Sequence, residues 1–175
     1  MNTQNSTITK LAETALMAAL CYVSFTFLQI KIPVPGGDAT SIHIGNAFCV
    51  LAALLIGGVY GGLSGAIGMG IADLMDPVYI TGAPKTFVLK FCIGLITGLV
   101  AHKIAKINES TDKKYVFKWS VIASVAGLAK MSAVATLFNA VVSVILVAVI
   151  YNAVRPVLIK SHLLTVTGKK KEQAA

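Results

Sequence analysis

The sequence predicts an all-α, polytopic integral membrane protein with six transmembrane helices and both termini cytoplasmic. Three observations carry that prediction. The chain is 56% hydrophobic and 13% charged, with a mean hydropathy of +0.80, a composition that suits lipid better than a soluble core. Its 175 residues, divided by about 20 per span, hold at most about six or seven helices and leave no room for a soluble catalytic domain. Its cations gather between and after the apolar runs, in 102–118 and from Arg155 onward, where the positive-inside rule reads cytoplasm. The net charge of +8 is thereby a matter of topology, and nucleic-acid binding is excluded as a reading. Cys21, Cys49 and Cys92 stand singly in apolar runs, with no CxxC and no His at zinc spacing, so no metal site or cofactor is expected.

The whole chain, 1–175, reads as one membrane domain. Its first span, about 10–30, follows a polar N-terminal stretch in which Thr9 is a candidate N-cap. The apolar run is too long for a signal-peptide core and no small-residue cleavage site follows it. Ala15 and Ala19 form a small-xxx-small pair with Ala12 on the same face, which lets another helix approach closely. Residues 31–42, with two prolines and two glycines, are a loop.

The second span, about 43–59, opens with His43 and Asn46 on one face of its first turn, as interfacial caps or as pocket donors. A tight turn over Gly57 to Gly62 leads into the third span, about 63–75. Gly57, Gly61 and Gly65 give two consecutive GxxxG registers for close helix packing. No Gly-Lys-Ser/Thr follows these glycines, so they are not a phosphate loop, and the chain is not read as an enzyme. Asp73 and Asp76 precede a turn containing Pro77, Tyr79, Gly82 and Pro84. The fourth span, about 86–104, begins with Lys85, Thr86 and Lys90 close together on a helix. Lys90 is either a donor to an anionic or polar ligand, a snorkelling side chain, or the partner of Asp73.

Lys103, Lys106, Lys113, Lys114 and Lys118 outweigh Glu109 and Asp112 in the next loop, which is therefore cytoplasmic, as is the tail 159–175. The segment between them must cross twice, as spans of about 118–133 and 138–158, with a turn near Met131 to Phe138 and Pro156 as a late helix breaker. Counting back, 31–42 and 76–85 fall outside. His43, Asn46, Asp73, Asp76, Tyr79, Lys85, Thr86 and Lys90 then form one outer polar layer, joined by Lys130 and Asn139, above an apolar inner half. Such a layer is a binding cup and not an open channel.

With these motifs in view, roughly residues 8–160 resemble the substrate-binding S components of energy-coupling factor (ECF) vitamin transporters. The resemblance is carried by Ala15-Leu-Met-Ala-Ala19, His43-Ile-Gly-Asn46, Gly57-Gly-Val-Tyr-Gly-Gly62 with Gly65, Asp73, and Ala83-Pro-Lys-Thr-Phe-Val-Leu-Lys90. It implies a multi-pass protein of a prokaryotic plasma membrane that captures a small vitamin-like ligand outside. It also implies a membrane T component and two cytoplasmic ATPase subunits as partners, with Ala15 and Ala19 facing the T component. The other class to weigh is a stand-alone secondary transporter with Asp73 or Lys90 as its coupling site. Candidate ligands stay open among hydroxymethylpyrimidine, pyridoxine-like, pantothenate-like and other compounds.

Overall fold

The structure is a computed structural model that describes residues 3–32, 40–129 and 134–161. It is all-α apart from one small hairpin: α1 (Thr3–Phe27), β1 (Gln29–Ile32), β2 (Thr40–His43), α2 (Gly45–Ile56), α3 (Gly58–Met75), α4 (Ala83–Gly98), α5 (Lys113–Leu128) and α6 (Val134–Lys160). A 3₁₀ turn, Ile80–Gly82, precedes α4, and a π-helical segment, Leu99–Ile104, continues it. Among the described residues three stretches are long and apolar enough to cross a membrane, Thr7–Phe27, Ile80–Ile104 and Asn139–Lys160, while Gly45–Ile56 is a shorter apolar helix.

Helix α3 packs against α1, α2 and α4, and glycine is what lets it do so. Gly61 lies on the Ala53 backbone and Gly65 on the Cys49 side chain, both in α2, while Gly68 faces the Ala18 carbonyl of α1. On the side toward α4, Gly58 and Gly62 meet Gly98 and Gly94 as two antiparallel glycine pairs. A Cβ on Gly62 would come 2.7 Å from the Phe91 carbonyl oxygen. The expected turn over Gly57 to Gly62 contracts to Gly57 alone, whose φ of 98° ends α2 and starts α3 without a linker. Gly57 consequently leaves the GxxxG register, and Gly58 and Gly62 supply a second stripe.

Other boundaries move for local reasons. Helix α1 begins at Thr3, so Thr9 lies within the helix and is no cap, and it ends at Phe27 instead of Ile30. The ends of the expected 31–42 loop pair as antiparallel strands, from Gln29↔His43 to Ile32↔Thr40, because alternating Ile30, Ile32, Thr40 and Ile42 favour extended backbone. Pro84 in the first turn of α4 suits a helix start and brings Lys85 and Thr86 inside the helix. Asp112 caps α5 by accepting from the Lys114 amide at 2.9 Å, so this helix starts well before residue 118. Val134 to Phe138 are helical, not a turn, and residues 131–133 lie outside the described residues. Pro156 does not break α6, which runs on to Lys160.

Leu16, Phe27, Val88, Ile145, Val149 and Val157 are exposed around the bundle, a distribution that lipid, not water, would cover. The interior is not dry at the end opposite the hairpin. There His102 Nε2 lies 3.0 Å from the Ala53 carbonyl, near the C-terminus of α2, and buried Arg155 reaches the α4–α5 connection. To the expectation of an almost purely apolar inner half the structure adds these two polar side chains, which serve carbonyls near the end of α2 and in the α4–α5 connection.

Candidate ligand site

The bundle brings the C-terminal ends of α1 and α3 and the N-terminal ends of α2, α4 and α6 together beneath the hairpin. Lys90 lies seven residues into α4 from Ala83, about 10 Å along the axis at 1.5 Å per residue. It is only 5% exposed, and its Nζ donates to Asn46 Oδ1 at 2.6 Å. Cys21, Cys49, His43 and Asp73 all lie within electrostatic reach of this ammonium. Among the described residues no carboxylate stands within ion-pair distance of it. Asp73 is itself buried, receives a hydrogen bond from Thr86, and keeps Oδ1 without a protein partner. Lys90 is therefore neither snorkelling nor paired with Asp73.

His43 and Asn139 fasten the roof over this lysine. The His43 amide donates to Asn139 Oδ1 at 2.9 Å, and Asn139 Nδ2 donates to the Ser41 carbonyl at 2.7 Å, so one side chain of α6 clasps the β2 backbone. His43 Nδ1 accepts from the Gly45 amide at 3.2 Å, which assigns the ring proton of the neutral imidazole to Nε2. The ring stands edge-on to Phe25, 4.6 Å between centroids.

Above lies a crevice of about 530 Å³ between the end of α1, β1 and the α3–α4 connection, lined among others by Phe25, Thr26, Gln29, Lys31, Met75 and Asp76. Lys31 Nζ and Asp76 Oδ2 close one side at 2.6 Å, with the ammonium also 5.3 Å from the Tyr79 ring centre. The hydrogen bond from Lys31, helped by the Val78 amide, holds the Asp76 carboxyl below its ordinary pKa. The same bond raises that of Lys31. Thr26 Oγ1, Gln29 Oε1 and the Tyr79 hydroxyl are buried without protein partners, so a polar guest would find donors and acceptors ready. Phe25 belongs to both tiers, lining the crevice and packing on His43.

Of the residues singled out in the sequence, His43, Asn46, Asp73, Asp76, Tyr79, Thr86, Lys90 and Asn139 gather at this end of the bundle. Lys85 is exposed there, and Lys130 lies outside the described residues. Ala15 and Ala19 are exposed on α1, away from the crevice. Phe25, Thr26, Gln29 and Lys31 were missed; their only sequence signal is a place at the end of the first span, where polar residues begin to interrupt the apolar run. Among the described residues no group of three or more His, Cys, Asp or Glu is placed to hold a metal ion.

Comparison with known proteins extends this picture. Residues 5–165 match the family model described as ECF-type riboflavin transporter, S component. A protein of Pyrococcus woesei, described as an uncharacterized protein in gap 3'region, is 32% identical over 76 residues, which are 43% of this chain and 49% of that protein. The chain thus spans about half the length of the curated relative it matches. No solved structure matches. With a match over nearly all of the chain and a polar site set in apolar helices, the chain belongs to the family of ECF-type riboflavin transporter S components, substrate-binding subunits of membrane transporters.

Proposed function

We propose that this chain is the substrate-specific subunit of an ECF-type importer, taking riboflavin or a close flavin analogue from outside the cell. Delivery requires a membrane T component and two cytoplasmic ATPase subunits, which supply the ATP hydrolysis. All six helices traverse the plasma membrane with both termini cytoplasmic, so the hairpin end faces outward.

The observation that carries this reading is the buried Lys90–Asn46 pair. An ammonium has three donors, and here it is set against a neutral amide with, among the described residues, no carboxylate at ion-pair distance to neutralise it. That arrangement suits the pyrimidinedione edge of a flavin, whose carbonyls accept and whose imide N–H donates. Phe25 and Tyr79, 6.1 Å apart, supply aromatic surface for the tricyclic ring system. The riboflavin assignment comes from the family name, and the site chemistry is compatible with it.

The test is equilibrium binding and docking on the purified chain. Riboflavin fluorescence is expected to be quenched saturably at one equivalent. Ala15→Trp and Ala19→Trp are expected to retain that binding while losing co-purification with the T component, because both alanines lie on an exposed face of α1. Saturable binding of a pyridoxine-like or pantothenate-like compound in place of riboflavin would reassign the ligand. Uptake driven by an ion gradient without ATPase partners would reassign the transporter class.

A further inference from the structure

A second site is built at the opposite end of the bundle. Arg155 of α6 is only 7% exposed, and its Nη2 donates to the Ile107 carbonyl at 2.8 Å and the Ser110 carbonyl at 3.0 Å. Its Nε is buried without an acceptor, and the Tyr151 hydroxyl lies beside the guanidinium. Among the described residues no carboxylate is within ion-pair distance of the guanidinium. In the α4–α5 connection that Arg155 contacts, both acids are committed elsewhere: Asp112 caps α5, and Glu109 lies 3.9 Å from Lys106. Buried charges ordinarily have a counter-charge, so a guanidinium that meets carbonyls but, among the described residues, no carboxylate invites an anion.

Arg155 also lines a cavity of about 540 Å³ between α5 and α6, together with Lys113, Lys114, Phe117, Pro156 and Ile159. One part of the wall carries three cations and the start of a 16-residue helix, where the Asp112 side chain accepts from the Lys114 amide and the positive helix end favours negative charge. The other part is apolar and opens where Phe117, 50% exposed, and Pro156 reach the surface. A free inorganic ion would use the first part and waste the second. A phosphate ester carrying acyl chains uses both.

We propose that this cavity binds an anionic phospholipid, with its phosphate against Arg155, Lys113 and Lys114 and the upper acyl chain along Phe117, Pro156 and Ile159. The site is remote from the ligand crevice and needs only that α5 and α6 sit in a membrane. A zwitterionic headgroup would carry its own ammonium into a cluster of three cations, so net-anionic lipids are selected.

Native mass spectrometry of the full chain, titrated with dioleoylphosphatidylglycerol or dioleoylphosphatidylcholine, tests the proposal. Phosphatidylglycerol is expected to bind saturably and in preference. Lys113→Gln with Lys114→Gln should weaken it by about twenty-five-fold, taking roughly fivefold per lysine near an anionic headgroup. Both lysines are exposed, so this double variant should melt like the parent in lipid-free detergent. Arg155→Lys is a second variant, keeping the charge but losing the fork, and should bind more weakly. Equal binding of the two lipids, or undiminished binding by the double variant, overturns the site. Inorganic phosphate displacing phosphatidylglycerol at equal concentration would show a free-anion site and overturn the lipid assignment.

Discussion

At the scale of single residues, the lysine within an apolar helix is the feature that sequence alone exposes most clearly, because a charge at that depth is costly unless it is used. Its partner was not legible. Asn46 and Lys90 lie on different helices, and nothing in their spacing distinguishes an amide from Asp73 as the acceptor; the packing of α2 on α4 decides it. If Lys90 donates to the ligand, Lys90→Ala should weaken riboflavin binding by about 2 kcal/mol or more, roughly thirtyfold, since truncation leaves a buried acceptor unmatched. Calorimetry that finds unchanged affinity would make Lys90 a purely structural donor to Asn46. The Lys31–Asp76 clasp gives a pH prediction. Asp76 is held below its ordinary 3.8, so its contribution is present above that value and lost as pH falls through the depressed folded pKa. Lys31 is raised above 10.5, so its contribution is full below that value and lost as pH rises through the raised folded pKa. Between 3.8 and 10.5 the clasp is constant, and being solvent-exposed it is weak. Amide exchange over Gln29–Ile32, corrected for intrinsic rates, should accelerate below pH 3.8 and stay flat at neutral pH, where Asp76→Asn should accelerate it. A parent profile matching that of Asp76→Asn throughout would show that the clasp does not hold the hairpin.

At the scale of elements, the glycines of α3 announced close packing, but not which face meets which helix. The stripe at Gly58 and Gly62 acquires meaning only opposite Gly98 and Gly94, which belong to a later helix with no local pattern linking them to the first. Likewise Gly57 was counted in a helical register, although its positive φ takes it out of both helices. The seam gives a graded prediction. Gly62→Val forces a side chain against the Phe91 carbonyl at a backbone–backbone contact, and overpacking of that kind costs about 1–3 kcal/mol or more. Gly82→Ala places its methyl group where nothing lies within 4 Å, at an ordinary φ of −87°. Thermal unfolding in detergent should therefore fall clearly for Gly62→Val and remain at the parent value for Gly82→Ala. Equal melting of both variants would mean that α3 and α4 are not in backbone contact at Gly62.

At the scale of the whole molecule, composition and charge placement made an all-α membrane protein legible, because lipid imposes those constraints along the entire chain. The end opposite the hairpin was only partly legible for a reason of the same scale: Arg155 and Lys113 both read as topology signals, and only folding shows that Arg155 is buried against the α4–α5 connection. Three stretches among the described residues qualify as spans by length and composition, so the case that all six helices cross rests on connectivity. If the connection holding Lys106 to Asp112 is cytoplasmic and the Asp76–Gly82 connection is outside, α4 with its π-helical extension must cross between them. Single cysteines test this directly on a background in which Cys21, Cys49 and Cys92 are replaced by alanine. Lys85→Cys and Thr111→Cys occupy exposed sites at opposite ends of that crossing. A membrane-impermeant maleimide applied to intact cells should modify the first, and should modify the second only after permeabilisation. Labelling of both before permeabilisation would put the two connections on one side. The hairpin crevice and the Lys90 layer would then lose the outward orientation on which substrate capture depends.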